Sequence, residues 1–205
     1  MNTIVLPLTF FGNIEYFKFF VSDSIVIVDN KENYSKQTYR NRARILGSNG
    51  ILDLSIPVKS TKGITKSINE IEISYAENWP LKHWRSIKSA YKSAPFFEEY
   101  EDEIKALLFS EHRLLVDLNT SILNKIIDLL QIETKYHFTS EIQIPEEFID
   151  KRTFFKPSKS PEIEYKNNYP QVFSYKTDFS PNLSVLDLLF NEGPYGSRYL
   201  ESVLI

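Results

Sequence analysis

Two short apolar runs separated by a helical pattern open the chain. Ile4 to Leu8 is a continuous apolar run of strand length, and Ile25 to Val28 is a second run that ends at Asp29. Between them, apolar residues recur at helical spacing from Ile14 to Val21, behind Asn13, a residue type that caps helix N-termini. Strand, helix and strand in this short space predict a βαβ unit, which requires a parallel sheet.

A β-hairpin is predicted next. Arg42 to Leu46 and Ile51 to Val58 flank the residues Gly47-Ser48-Asn49-Gly50, and an Asn-Gly pair favours the positive φ of a tight hairpin turn. Pro57 cannot donate a backbone hydrogen bond, so we expect the second strand to stop near it or to lie at a sheet edge. Ile68 to Ile73 is a further candidate for a short strand.

The remaining pattern is mainly helical. One helix is predicted to begin at Asn78-Trp79-Pro80, because Asn caps helices and Pro is tolerated in the first turn. The most apolar segment, Leu114 to Ile132, has helical spacing after Asn119, which we interpret as its cap.

The C-terminal segment combines a predicted loop with a predicted helix. Asp150 to Pro170 holds several Lys and Pro residues and predicts a long exposed loop or lid. Ser184 with Asp187 resembles a capping box, and Gly193-Pro194 is a helix stop. Together the patterns predict an α/β protein with a βαβ-like N-terminal parallel sheet, a hairpin and a helical C-terminal half.

Composition narrows the functional classes. The 205 residues are 42% hydrophobic, which is enough for a core, and the six Gly residues argue against a Gly-rich phosphate loop. The chain has no Cys and no His pair at i, i+4, so we expect neither a metal nor a cofactor. A net charge of −3 does not indicate a general nucleic-acid binder. Without a basic leader or an apolar run of about 20 residues, we expect a cytoplasmic protein with no membrane span.

Three arginines at alternate positions are the main candidate for chemistry. Arg40, Arg42 and Arg44 follow Lys36, and an extended backbone would place the three guanidinium groups on one face. Arginine binds phosphate and carboxylate with two parallel hydrogen bonds, which favours an anion site. The alternative is a solvated edge strand whose charge only discourages aggregation, and composition alone favours that alternative.

The predicted topology supports the anion site. Ligands of open α/β sheets bind beyond the carboxyl ends of the strands, where the loops Thr9 to Gly12 and Asn30 to Gln37 emerge. The second loop leads directly into the arginines. Asp29 and Glu32 lie at the same end, where they could meet a metal or a ribose hydroxyl, although surface solvation explains two acids equally well.

Among the three histidines, His83 is the best placed for catalysis. It shares a side of its predicted helix with Tyr91 and is a candidate general acid or base. A buried histidine bonded to a backbone carbonyl is an equally good interpretation. His112 lies in a charged stretch, and His137 is flanked by aromatic residues, so we expect a surface role for the first and a packing role for the second.

Four blocks of sequence, in the right order, resemble the WbqC-like family. They are ENYSKQTYRNR (Glu32 to Arg42), LSIPV (Leu54 to Val58), the spaced aromatic and basic residues from Trp79 to Phe96, and NLSVLDLLFNEGP (Asn182 to Pro194). The segment GNIEYF from Gly12 also fits. This resemblance covers nearly the whole chain and implies a single WbqC-like domain over residues 1–205.

Individual positions also match the family's pattern. Asn41 and Arg42 match its Asn-Arg pair, and His83 and Tyr91 match the histidine and tyrosine of its helix block. Some relatives have a Gln-Pro before the first aromatic loop, and the corresponding segment, Val5 to Phe11, lacks that Gln.

The resemblance implies a role in bacterial surface-polysaccharide, or O-antigen, biosynthesis. We predict a transferase that acts on a nucleotide-activated sugar or a modified sugar, with His83 as the candidate acid or base. The alternative is a non-enzymatic protein of the same pathway that binds an anion or a partner through the same face. The residues predicted to bind the small anionic substrate are Asn33, Tyr34, Lys36, Gln37, Arg40, Asn41, Arg42 and Tyr91.

Overall fold

The chain has an α/β fold in which helices dominate the C-terminal half. The computed structural model describes residues 2–60, 65–139 and 144–204. Its strands are β1 (Thr3–Pro7), β2 (Ile25–Asp29), β3 (Arg42–Gly47), β4 (Gly50–Ser55), β5 (Tyr136–Phe138) and β6 (Ile149–Asp150). Its α-helices are α1 (Ile14–Lys18), α2 (Trp79–Tyr91), α3 (Phe97–Leu108), α4 (Leu115–Leu129), α5 (Val185–Glu192) and α6 (Gly196–Ser202).

The predicted βαβ unit is confirmed and forms the centre of a parallel sheet. The sheet has the strand order β5-β2-β1-β6, and β1 pairs with β2 from Thr3 opposite Ile25 to Pro7 opposite Asp29. The cap of α1 is Asn13, whose side chain accepts a hydrogen bond from the backbone N–H of Tyr16 at 3.0 Å. Successive residues of β1 are buried, which is the pattern of a strand covered on both faces.

The predicted hairpin is also confirmed and forms a sheet of its own. β3 and β4 pair antiparallel, with Gly47 opposite Gly50. Gly50 has a φ of +109°, a conformation that side chains disfavour and that explains the glycine in this turn. Ala43 and Ile45 of β3 are buried in the core, and β3 packs against α2.

Two element predictions were wrong at their boundaries or type. α4 begins at Leu115, so Asn119 lies inside the helix and is fully buried instead of capping it. The segment predicted as a strand from Ile68 forms a 3-10 turn over Ile68–Glu70. Ser67 and Glu70 cap this turn by exchanging side-chain and backbone hydrogen bonds, and this local pairing favours a helical turn over an extended chain.

The loop predicted after β6 is mostly exposed, as expected, and three aromatic residues anchor it in the core. Phe154, Phe155 and Tyr169 are buried, and the Phe155 ring lies 5.4 Å from that of Tyr16, measured between centroids. Burying aromatic rings stabilises this segment against α1. Among the described helices, none is long and apolar enough to cross a membrane.

The end of α5 provides a test of the fold. Gly193 has a φ of +53°, and a Cβ atom at this position would lie 2.5 Å from Cδ1 of Phe96. We expect Gly193→Ala to lower the free energy of unfolding by about 2 kcal/mol, because both the backbone conformation and the contact become strained. Urea unfolding followed by circular dichroism measures the change.

The matched control for this prediction is Gly47→Ala. A Cβ atom at Gly47 would meet its nearest neighbour, the backbone oxygen of Gly50, at an ordinary distance of 3.6 Å. We therefore expect an effect of less than about 1 kcal/mol. An equal loss of unfolding free energy in Gly193→Ala and Gly47→Ala would contradict the claim that the end of α5 requires a glycine.

Candidate functional site

Four charged side chains meet at the carboxyl edge of the parallel sheet. Asp29 ends β2, Glu32 lies in the loop after it, Arg40 precedes β3, and Arg152 follows β6. The Nε atom of Arg40 donates to Oε1 of Glu32 at 2.7 Å, and its Nη2 atom donates to Oε2. The Nη1 atom of Arg152 donates to Oδ2 of Asp29 at 2.8 Å. We call these four residues the charged cluster.

Arg40 links the parts of the charged cluster. Besides binding Glu32, its guanidinium donates to the backbone carbonyl of Arg152 at 2.9 Å and to the hydroxyl of Thr38 at 3.3 Å. The carbonyl of Arg40 accepts a hydrogen bond from the side-chain amide of Asn119, in α4, at 2.7 Å. Only 3% of Arg40 is exposed, so these partners replace the water that its charge would otherwise require.

Glu32 is the titratable group of the charged cluster with the strongest functional signature. Burial raises the pKa of Glu32 to about 7, and the neighbouring charge of Asp29 raises it too, while Arg40 and Arg152 act in the opposite direction. A carboxyl group with this pKa can accept or donate a proton near neutral pH. The described residues contain no group of three or more His, Cys, Asp or Glu side chains able to hold a metal ion.

The loop after β1 forms a tightly packed wall of the same edge. Phe11 is fully buried and has a φ of +40°, an uncommon conformation for a bulky residue. A Cβ atom at Gly12 would lie 2.6 Å from the Tyr16 ring and 2.7 Å from the Thr9 hydroxyl, so this position requires glycine. Strained backbone of this kind often accompanies binding sites, where the surrounding structure holds it in place.

The arginines of the hairpin lie on one face of β3 and share one carboxylate. Arg42 donates to Oδ2 of Asp53 at 3.3 Å, and Arg44 donates to Oδ1 of the same residue at 3.0 Å. Arg40 lies before the strand and points into the charged cluster, where Glu32 is its partner. Carboxylates of the chain itself therefore relieve the repulsion between these like charges.

The other residues predicted to bind the anion lie around this edge in different surroundings. Lys36 and Gln37 are exposed at the tip of the loop after β2, and Gln37 has a φ of +59°. Asn33 is exposed, and Tyr34 is half-buried with its backbone N–H bonded to the carbonyl of Lys66 at 2.8 Å. Asn41 donates its side-chain amide to the carbonyl of Ile56 at 2.9 Å, which ties the segment to the end of β4.

His83 is buried in α2 among aromatic rings. It is 7% exposed, and its ring centroid is 5.1 Å from that of Trp79 and 5.9 Å from that of Phe10. Burial lowers the pKa of His83 to about 4, partly opposed by the backbone of Ser55, so the imidazole is neutral at physiological pH. Its Nδ1 atom is buried without a hydrogen-bond partner in the part of the chain that the structure describes. Catalysis by His83 stays a prediction.

Tyr91 belongs to a second buried polar group, which is centred on Asp187. Its ring lies 5.1 Å from that of Phe190, and burial together with the charge of Asp187 raises the pKa of its hydroxyl. The carboxylate of Asp187 accepts hydrogen bonds from the hydroxyl of Tyr169 at 2.6 Å and the amide of Gln171 at 2.9 Å. The structure therefore brings Glu32 and Arg40 together and places Tyr91 elsewhere.

Sequence reasoning missed Arg152 and the role of Asp187. Arg152 contacts Asp29 and Arg40 across more than 100 positions of the chain, and its strand, β6, is only two residues long, too short for any periodic signal. The available hint for Asp187 is an acidic residue among the apolar residues at the start of its helix, where the sequence pattern indicates part of a capping box.

The charged cluster predicts a large difference between two arginines of the same segment. Arg40→Met leaves Glu32 buried without its partner, so we expect a loss of about 3–5 kcal/mol in the free energy of unfolding at pH 8. Arg42→Met removes a half-exposed pair and should cost less than about 1 kcal/mol. Chemical denaturation of both variants at several pH values measures this.

The pH dependence of the same variants adds a second test. The pKa of Glu32 in the folded protein lies above its ordinary value of 4.5. Protonation of Glu32 therefore contributes stability that is fully present below pH 4.5 and is lost as the pH rises through about 7. Removing Arg40 raises this pKa further, so the loss in Arg40→Met should shrink as the pH falls from 8 to 5. If the loss of unfolding free energy in Arg40→Met did not depend on pH, Glu32 would not be the charged group that this variant leaves buried without a partner.

Comparisons with known proteins identify a family and a distant relative. The model of the WbqC-like protein family matches residues 9–155, which include the charged cluster. The uncharacterised protein Rv1507c of Mycobacterium tuberculosis is 27% identical over 207 residues, and the match covers 87% of each chain. No solved structure shows a significant match to the chain. Since the family model spans most of the sequence, the chain belongs to the WbqC-like protein family.

Proposed function

We propose that the protein binds a nucleotide-activated sugar at the carboxyl edge of its parallel sheet and acts in bacterial surface-polysaccharide biosynthesis. The observation that carries this proposal is the charged cluster, which lies at the edge where ligands of open α/β sheets bind. Membership in the WbqC-like family is consistent with that pathway. The proposed ligand is a small anionic substrate, and it is not a nucleic acid.

The cations at this edge would hold the diphosphate. About a quarter of the Arg152 side chain is exposed, whereas that of Arg40 is almost fully enclosed. The guanidinium of Arg152 pairs with the carboxylates of Asp29 and Asp150, so a phosphate would share it with these groups. Arg152 is nevertheless the arginine of the charged cluster that a phosphate can reach from solvent, and Lys36 is exposed on the adjoining loop. In this proposal Arg40 acts on the substrate indirectly, because it fixes the position of Glu32.

A glycosyl transfer is the reaction that we propose, with Glu32 as the general base. The oxygen of an acceptor hydroxyl forms a bond to the anomeric carbon of the sugar, and the bond from that carbon to the diphosphate breaks. The nucleoside diphosphate leaves with the electron pair, and the hydroxyl proton passes to Glu32. The pKa of about 7 for Glu32 suits this transfer at neutral pH.

One observation favours a non-enzymatic binding protein as the second candidate. Each of the three arginines of the segment already has a carboxylate of the chain as its partner, and Arg40 and Glu32 satisfy one another in a buried pair. Charged residues that only stabilise the fold would show the same pairing. Binding without turnover would support this second candidate.

Calorimetry with nucleotide sugars tests the proposal, and the probes are the uridine, thymidine and guanosine diphosphate sugars. We expect one class to bind, and Arg152→Ala to weaken its binding about 10- to 100-fold, since a hydrogen bond to a charged group is worth about 1.5–3 kcal/mol. Glu32→Gln should retain binding and lose the release of nucleoside diphosphate.

The matched control for these variants is Asp53→Asn, which removes a carboxylate that pairs with two arginines outside the charged cluster. We expect it to leave binding and turnover unchanged. Melting curves establish that each variant is folded. Equal activity of Glu32→Gln and wild type, combined with loss in His83→Gln, would assign the acid–base role to His83. No binding of any nucleotide sugar to the wild type would overturn the proposal.

A further inference from the structure

A cavity of about 430 Å³ lies beside the charged cluster, between the loop after β2 and α4. Its volume is within the range of about 300–1,000 Å³ that is typical of small-molecule sites. The polar and charged side chains that line it come from three parts of the chain, and they are Asn30, Lys31, Asn69, His112, Asp117, Thr120 and Ser121.

Backbone hydrogen bonds hold the walls of this cavity in place. The N–H of Ile68 donates to the carbonyl of Glu32 at 2.8 Å, and this fixes the 3-10 turn that carries Asn69 next to the loop after β2. The N–H of Leu115 donates to the carbonyl of Ile71 at 2.9 Å, which fixes the start of α4 against the same turn. The cavity is therefore formed by the fold before any ligand arrives.

The lining chemistry matches a sugar ring better than a phosphate or a nucleobase. Amides, hydroxyls, an imidazole and the carboxylate of Asp117 offer donors and acceptors together, as sugar hydroxyls require. The lining has one ammonium group, Lys31, and one carboxylate, Asp117, so these two formal charges balance and give a phosphate no net attraction. Val116 is its one aliphatic side chain, so a nucleobase would find little surface to stack on.

One polar atom in the wall lacks a partner. The Oδ1 atom of Asn30 is buried and has no hydrogen bond within the described ranges. A buried acceptor without a donor costs free energy, and a donor from a bound ligand would relieve that cost. On another wall, the hydroxyl of Ser121 lies 3.3 Å from Nε2 of His112.

We propose that this cavity binds the sugar ring of the nucleotide-activated substrate. Asn30 directly follows Asp29 of the charged cluster, so a diphosphate at the carboxyl edge would bring its sugar to the cavity. The inference rests on the proposed function, because it divides one substrate between two neighbouring sites. The charged cluster takes the nucleoside diphosphate, and the cavity takes the sugar hydroxyls.

An NMR titration of the ¹⁵N-labelled chain separates the two sites. The probes are uridine diphosphate and thymidine diphosphate alone, then glucose, galactose and N-acetylglucosamine alone, and then the corresponding nucleotide sugars. We expect the diphosphates to shift the amide signals of Glu32 and Arg152. We expect at least one sugar to shift those of Asn69, Thr120 and Ser121, and its nucleotide conjugate to bind more tightly than the diphosphate alone.

Two variants and a control test whether the cavity is responsible. Thr120→Leu fills the cavity, and Asp117→Asn, at an exposed position, changes its charge with little risk to the fold. Each should abolish the sugar response and lower the affinity for the nucleotide sugar about tenfold, while the affinity for the diphosphate stays unchanged. The control is Asp128→Asn, an exposed position of α4 outside the cavity, and it should behave as the wild type.

The outcomes distinguish this inference from the proposed function. If a diphosphate shifts the carboxyl-edge signals but no sugar or nucleotide sugar shifts those of the cavity, the inference is overturned and the proposed function stands. If no diphosphate and no nucleotide sugar gives a response, both are overturned. An unchanged sugar response in Thr120→Leu and Asp117→Asn would place the sugar elsewhere and would also overturn the inference.

Discussion

The buried pair of Arg40 and Glu32 is the interaction on which the carboxyl edge depends. It ties the loop after β2 to the segment before β3, and the remaining donors of Arg40 reach the backbone after β6. Asn119 of α4 holds the carbonyl of the same arginine. Removing two charges from water is costly, and this set of hydrogen bonds offsets part of that cost. Three segments that are distant in sequence therefore meet at Arg40.

This arrangement also explains why a carboxyl group with a pKa near neutral pH is present at the carboxyl edge of the sheet. Desolvation opposes the charge of Glu32, while Arg40 favours it, and the balance places the pKa of Glu32 at about 7. Glu32 can therefore form a structural ion pair with Arg40 and also serve as a proton-transfer group. The proposed division of the substrate follows from the same geometry, since the loop that carries Glu32 also carries Asn30 to the polar cavity.

The sequence predicted the elements whose signals are local. Apolar runs and an Asn cap were enough for the βαβ unit, and an Asn-Gly turn was enough for the hairpin. The alternation of Arg40 with Arg42 predicted a shared face, but β3 begins at Arg42, and Arg40 turns to Glu32 instead. Nothing in the local pattern around Arg152 or Asn119 could indicate a partner about 80 or more positions away. Tertiary contacts of this kind determine which residues form the site, and the periodicity of the sequence does not reveal such contacts.

The most direct test of this account is the titration of the Glu32 carboxyl group by ¹³C NMR, with its signal assigned from the spectrum of Glu32→Gln. The account predicts that Glu32 titrates with a midpoint near pH 7 in the free protein. Saturation with a nucleoside diphosphate should raise that midpoint, because a nearby negative charge disfavours the ionised carboxylate. A midpoint close to the ordinary value of 4.5, unchanged by the diphosphate, would contradict the claim that the charged cluster is an anion-binding site with Glu32 as its proton-transfer group.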